Sequence, residues 1–230
     1  MSVPVVAGEV FGAALPAAER YATLLAGAGV ERGLIGPREV DRLWDRHLLN
    51  CAVVAELIKP AAELVDVGSG AGLPGVVLAI IRPDLSITLL EPLLRRVTFL
   101  TECVADLSLQ NVTVRRGRAE DATGELSCDV VTARAVAPLD RLLSWGLPLL
   151  RPGGELLAFK GERAETELDG AGATLRSFGV RTAELLHVGH GKVEPPTTIV
   201  RVVAEHSVAP VNGPRRNGRG RGRGARGRKR

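Results

Sequence analysis

Residues 64–75 read Leu-Val-Asp-Val-Gly-Ser-Gly-Ala-Gly-Leu-Pro-Gly, an apolar strand that runs into glycines and on towards a helix with Pro in its first turn. A turn of this composition lets backbone amides approach a ligand with no side chain in between, and it belongs to a strand-turn-helix unit. The rest of the chain repeats that unit. Short apolar runs at 63–67, 86–90, 112–115, 128–133 and 154–159 alternate with helix-like stretches at 74–82, 93–107, 138–149 and 161–177. This alternation predicts a doubly wound, mostly parallel α/β sheet with right-handed crossovers and a ligand site at the carboxyl ends of its strands. Two further runs, 181–188 and 197–204, follow without a helix between them and predict an antiparallel hairpin closing one edge. Upstream, Ala and Leu are spaced for a helix over 17–28, which Gly29 ends. A second helix opens at Pro37 and carries Leu43, His47, Leu48, Val54 and Leu57. The expected organisation is a helical cap over 1–60, an α/β domain over 61–207 and a tail over 208–230.

The tail explains the charge. Nine of the 30 Lys and Arg lie in residues 213–230, which hold no acid, so residues 1–212 carry 21 bases against 26 acids. The pI near 9.3 therefore belongs to the tail, and the body is not a basic nucleic-acid platform by composition. Arg, Gly, Pro and Asn cannot bury enough apolar area to offset chain entropy, so the tail is expected to be disordered and to contact RNA phosphates without sequence preference. A 45% hydrophobic content over 230 residues excludes disorder of the whole. Cys51, Cys103 and Cys128 are far apart and odd in number, which fits neither a disulfide framework nor a metal site and points to a reducing compartment. No apolar run approaches the ~20 residues of a membrane span. The apolar N-terminal stretch lacks a basic start and carries Glu9, so it is read as a cytoplasmic N-terminus with no membrane partner.

Two ligands compete for the glycine loop. Residues 70–75 satisfy G-x-G-x-x-G, and Glu91 stands where a dinucleotide enzyme holds ribose, so an NAD(P)-dependent oxidoreductase is one reading. Asp66 argues against it, because an acid at the strand end would repel a pyrophosphate and attract an ammonium or sulfonium. S-adenosyl-L-methionine carries both cations and no phosphate. The pattern Asp-x-Gly-x-Gly-x-Gly over 66–72 is also that of class I methyltransferases, with Rossmann-like sheets. Glu91 can accept from both ribose hydroxyls, and Arg118-Ala119-Glu120 lies where an adenine would be flanked. A non-catalytic RNA-binding scaffold is the third reading.

Several blocks together resemble the RsmG (GidB) family, bacterial methyltransferases of guanine N7 at position 527, in the 530 loop of 16S ribosomal RNA. They are Arg46-His47-Leu48-Leu49, residues 66–75, Arg95 to Leu100, Arg134-Ala135-Val136-Ala137 and Lys160-Gly161. The likeness covers about 40–204 and departs at Gly33-Leu34-Ile35-Gly36, where the family has a Trp...Asn-Leu-Thr block, and at Asn50, often Asp. It implies a class I methyltransferase fold. It also implies cofactor contacts from Gly68, Leu73, Ala119, Glu120 and Arg134, with Glu91 on the ribose; Asp66, Gly70 and Gly72 complete the expected cofactor set. Arg134, His47 and Arg46 are the candidate catalytic residues, and no metal is expected. The implied partner is 16S rRNA in the small ribosomal subunit or an assembly intermediate, met by a monomer. Lys160 and a rim of Arg46, Arg95, Arg96, Arg115, Arg116 and Arg134 are expected to meet RNA phosphate. Guanine N7 has a lone pair and no proton, so in-line attack on a sulfonium methyl requires no general base.

Overall fold

A computed structural model describes residues 2–205. The expected basic tail, and the last two residues of the expected α/β domain, lie outside the described residues. Seven strands form one sheet: β1 (Glu63–Val67), β2 (Ser86–Glu91), β3 (Val112–Arg116), β4 (Cys128–Arg134), β5 (Leu150–Lys160), β6 (Thr182–Val188) and β7 (Thr197–Ala204). Their order is β3-β2-β1-β4-β5-β7-β6. The first five run parallel, while β7 is antiparallel to β5 and β6. The hairpin therefore joins the sheet through its second strand. Chain order reverses between β1 and β4, and at such a switch point the crossovers diverge and leave a crevice beyond the strand ends.

Alternation along β1 divides the core. Leu64 faces a cluster with Val77, Leu78, Phe99 and Leu100, from α4 (Gly75–Ile81) and α5 (Leu94–Asp106). Val65 and Val67 face the opposite cluster, with Leu142 and Leu143 of α7 (Leu139–Gly146). Each such buried Leu or Phe contributes roughly 1.5–3 kcal/mol. Asp66 lies between two apolar neighbours and is 1% exposed. Short α6 (Ala119–Ala122) follows β3. The helix expected over 161–177 breaks into α8 (Ala164–Gly170) and α9 (Gly172–Ser177) around buried Ala171, where flanking glycines weaken helix propensity. β5 starts earlier than Pro152-Gly153-Gly154 suggested, because Leu150 already pairs with Cys128 before a register shift.

The cap holds α1 (Val5–Phe11) and α2 (Leu15–Leu24), with the helical run from Pro37 beyond. That run is not one regular helix. It passes through a 3₁₀ segment (Pro37–Arg42), a π segment (Leu43–Leu48), α3 (Leu49–Ala52) and a second 3₁₀ segment (Val53–Leu57). Leu43 and Leu48 are both fully buried though five residues apart, and a wide π turn aligns i with i+5 where an α-helix would rotate one of them outward. Trp44 packs edge-on against Phe11, ring centroids 6.0 Å apart. Among the described residues no helix is long and apolar enough to cross a membrane.

Candidate active site

The crevice begins with the glycine loop. Gly68, Gly70 and Gly72 have φ of 68°, 60° and 98°, the left-handed region that side chains disfavour. Two supports hold the loop from below. The buried Tyr21 of α2 donates its hydroxyl to Ala71 O at 2.7 Å. Asp66 accepts from Thr132 Oγ1 at 2.8 Å through Oδ1 and from the Gly75 amide at 3.2 Å through Oδ2. Burial pushes its carboxyl up to about 6, against these hydrogen bonds.

Above the loop is a cavity of about 580 Å³, within the size range of cofactor sites. Of the expected residues, Gly68, Gly70, Leu73, Glu91, Ala119, Glu120, Arg134 and His47 line it. Asp66 and Gly72 do not: Asp66 lies beneath the loop, and Gly72 packs towards Val76 and Tyr21. Arg46 opens instead onto a neighbouring cleft. The sequence gives no role to Leu34, Ile35 or Ser69, which also line the cavity with Trp145, one of the few aromatics it offers for stacking. Leu34 and Ile35 come from the stretch that departs from the family pattern, and neither periodicity nor charge marks them. Arg96, in the family-like block from Arg95 to Leu100, faces Glu91 at 3.6 Å.

Glu91 is 1% exposed at the end of β2. Its Oε2 accepts from the Gly70 amide and its Oε1 from the Leu93 amide, both at 3.0 Å. Each oxygen keeps a further lone-pair direction, as acceptance from two vicinal hydroxyls requires. With amides of a glycine loop on one side and Ala119 and Glu120 on the other, the residues fit an adenosyl group with a charged amino-acid end.

Arg134 ends β4 and is held by the cap. Its Nη2 donates to Arg46 O at 2.8 Å and meets His47 Nδ1 at 2.9 Å, while Nη1 lies 3.1 Å from Cys51 Sγ. The other ring nitrogen, Nε2, is 2.9 Å from Glu39 Oε2. Burial first, then the Arg134 cation, hold His47 below its usual imidazole range, against the pull of Glu39. Both ring nitrogens are occupied, so the ring braces the guanidinium. Burial also pushes the Cys103 and Cys128 thiols up to about 12, and Cys51 upward, which fits packing residues.

Lys160 differs from its expected place on RNA phosphate. Its side chain is 7% exposed, and Nζ donates to Ala137 O at 3.1 Å and Glu167 Oε2 at 2.8 Å. Glu167 in turn accepts from the Leu139 amide at 2.9 Å. The turn after β4 is thus fastened at both ends, by the cap at Arg134 and by Lys160 and Glu167 at 137–139. Between them Ala135 has φ 53°, strain of order 1–3 kcal/mol. The neighbouring cleft, of about 1370 Å³, shares Arg134, Ala135 and Val136 with the cavity and adds Arg42, Arg46, Arg163 and His190. The expected rim is only partly there: Arg115 pairs with Glu125, and Arg116 Nε donates to Pro92 O at 3.4 Å.

A switch-point cavity over such a loop, with a buried acid closing β2, defines a Rossmann-like cofactor-binding fold, and solved methyltransferases share it. A SAM-dependent methyltransferase from Aquifex aeolicus superposes with a TM-score of 0.53 at 20% identity, covering 74% of this chain and 99% of its own. The S-adenosylmethionine-dependent methyltransferase SibL gives 0.57 at 18% identity, over 80% of this chain and 61% of its own. Sequence comparison is more specific. Residues 14–194 match the family model GidB, rRNA small subunit methyltransferase G. A Thermobifida fusca relative described as ribosomal RNA small subunit methyltransferase G is 60% identical over 230 residues, covering 97% of this chain and 96% of its own. One from Streptomyces coelicolor is 62% identical over 201 residues, covering 87% and 84%. The chain belongs to the rRNA small subunit methyltransferase G family. It is a methyltransferase, which sets aside the oxidoreductase and scaffold readings, and it has the fold of S-adenosylmethionine-dependent methyltransferases.

Proposed function

We propose that this enzyme methylates N7 of guanine 527 in the 530 loop of 16S rRNA, in the cytoplasm, on the small subunit or an assembly intermediate, and that it works as a monomer. The observation that carries the reading is the wall shared by the two cavities. Arg134, Ala135 and Val136 separate a cofactor-sized cavity from a larger cleft whose Arg42, Arg46 and Arg163 suit a nucleotide with its phosphates. A second observation favours N7 over an amino group. Of the titratable groups at the cavity, Glu91 and His47 are held by the protein through both carboxylate oxygens and both ring nitrogens, Asp66 is buried below the loop, and Glu120 lies on the adenine side, so this reading assigns none of them to a substrate proton. Guanine N7 has none to give.

When bound, S-adenosylmethionine supplies an electrophilic methyl group on a sulfonium. The chain's residues supply position: Glu91 would hold the ribose hydroxyls, Gly68 and Gly70 the amino-acid end, and Ala119 with Glu120 the adenine. Holding reactants in line supplies roughly 7–11 kcal/mol of the barrier without acid-base chemistry. The N7 edge lies in the deep major groove of an RNA helix, so the target base must come from a loop or be splayed out. Among the described residues every group assigned to the cofactor comes from one chain, as a monomer requires, and the basic tail of residues 213–230 would tether RNA through its phosphates.

The test is transfer of labelled methyl from S-adenosylmethionine to small subunits from a strain lacking 530-loop methylation, with chemical cleavage at 7-methylguanine. Label at guanine 527 is the expected result. Label at another base, or none from protein that binds the cofactor, overturns the assignment.

A further inference from the structure

We propose that Glu39 is a positioning residue of this site, acting through His47 on Arg134; the inference rests on the methyl-transfer reading above. Glu39 lines neither cavity, so whatever it does for the reaction is relayed. Arg134 does line both, and three of its five N–H groups are taken. Nη2 spends both hydrogens on Arg46 O and His47 Nδ1, and Nη1 spends one on Cys51 Sγ. Among the described residues the Nε–H and the second Nη1–H meet no protein acceptor, which leaves two donors of a fixed plane for a ligand.

Beside Arg46 O and Cys51 Sγ, His47 Nδ1 holds that plane while it offers a lone pair. A neutral imidazole has one proton and two places for it. Glu39 Oε2, 2.9 Å from Nε2, can only accept, so the proton sits on Nε2 and Nδ1 is free to accept from Arg134. Without that acceptor the other tautomer becomes available, and an Nδ1–H would oppose an Nη2–H. The charges facing His47 are Glu39 across Nε2, Arg134 across Nδ1, and Arg46, which pairs with Glu39 at 3.4 Å. Protonation of His47 would likewise remove the lone pair and set a cation against Arg134. The relay is therefore intact at neutral pH and fails in acid. Glu39 raises the His47 pKa, so losing its charge moves that acid limb to lower pH.

The experiment compares full-length wild type, Glu39→Gln and Glu39→Ala. Ring ¹⁵N shifts, with the His47 signals assigned by His47→Gln, report the tautomer without substrate. Methyl transfer to small subunits gives kcat and KM across pH. In wild type and Glu39→Gln the proton is expected on Nε2, since the amide oxygen also accepts; in Glu39→Ala it is shared with Nδ1. The kcat of Glu39→Ala is expected to fall roughly 10- to 100-fold with little change in cofactor affinity, and Glu39→Gln to recover most of it. The acid limb of Glu39→Gln should lie below that of wild type. A wild-type tautomer and kcat in Glu39→Ala would overturn the proposal. So would equal losses in the two variants with an unmoved acid limb, the mark of a merely structural role. Wild-type protein that leaves small subunits unlabelled would instead overturn the functional reading, while the ring shifts still decide the relay.

Discussion

Replacing Asp66 by Asn separates two roles open to an acid at the end of β1: attracting a cationic cofactor, or holding the loop that receives it. The carboxylate is 1% exposed and touches Thr132 Oγ1 and the Gly75 amide, not the cavity. An Asn keeps both contacts, with its oxygen accepting from Gly75 and its amide donating to the Thr132 hydroxyl. Only the charge is lost. Burial raises the carboxyl from 3.8 to about 6, and that rise amounts to about 3 kcal/mol of differential stability. The folded-state pKa lies above the unfolded value. The stabilising contribution is thus complete below pH 3.8, declines as pH rises through about 6, and is absent above. Asp66→Asn should therefore match wild type near pH 4, lack the decline between 4 and 6, and be up to about 3 kcal/mol more stable at pH 7. Denaturant unfolding at a series of pH values measures this, with an unchanged m-value as the check that the unfolded state is the same. Cofactor affinity should fall by less than about tenfold, or 1.4 kcal/mol. A variant less stable than wild type at every pH, or one that folds normally and loses the cofactor a hundredfold, would refute the reasoning.

The glycines make a paired test. A methyl at Gly75 would run into Leu89 and the Asp66 carboxylate, all buried, so Gly75→Ala should lower Tm by roughly 3–10 °C. At Gly70 a methyl meets only Gly68 O at 3.7 Å, so Gly70→Ala should cost about 1 kcal/mol of strain at φ 60° and mainly weaken the cofactor, read by calorimetry. The reverse ranking of Tm would show that the loop is not packed as described. Truncation of residues 213–230 removes nine positive charges, which should reduce the log-log salt slope of RNA binding by up to about 6 and leave cofactor affinity unchanged; lost cofactor binding would sink the tether.

How far the fold is legible depends on what fixes each element. β1 and β2 are buried on nearly every residue and read as continuous apolar runs, so their limits agree with the sequence to within a residue. The antiparallel pairing of β6 with β7 also follows, because two apolar runs without a helix between them have no route to parallel pairing; that β7 and not β6 joins β5 does not. The cap was legible only as helical. Its π turn answers to the packing of Leu43, Trp44 and Leu48 against α1 and α2, which no local spacing announces. Likewise β5 begins at Leu150, four residues before the apolar run at 154–159, because Leu150 pairs with Cys128 across the Pro152-Gly153-Gly154 stretch.

The site shows the same division at the level of charge. Glu91 was expected at the cavity because it closes a strand next to a switch point, and it does line it. Lys160 occupies the corresponding end of β5 and the same reasoning put it on RNA, yet its ammonium is 2.8 Å from Glu167 and fastens the turn at Ala137. The difference between the two is a partner seven residues downstream on α8, which sequence cannot weigh because an acid at that spacing is equally common on a solvated face. Arg134 is the mixed case: position gave its importance, but only the structure shows that Cys51, the Arg46 carbonyl and His47 take three of its donors. A strained Ala135 held between this anchor and Lys160 explains why the turn needs two clamps. Strain of order 1–3 kcal/mol would otherwise relax by moving the wall between the cavities. The charged residues nearest the cavity are thus mostly engaged with the protein itself, Arg46 included through Glu39, while Arg42 and Arg163 line the neighbouring cleft.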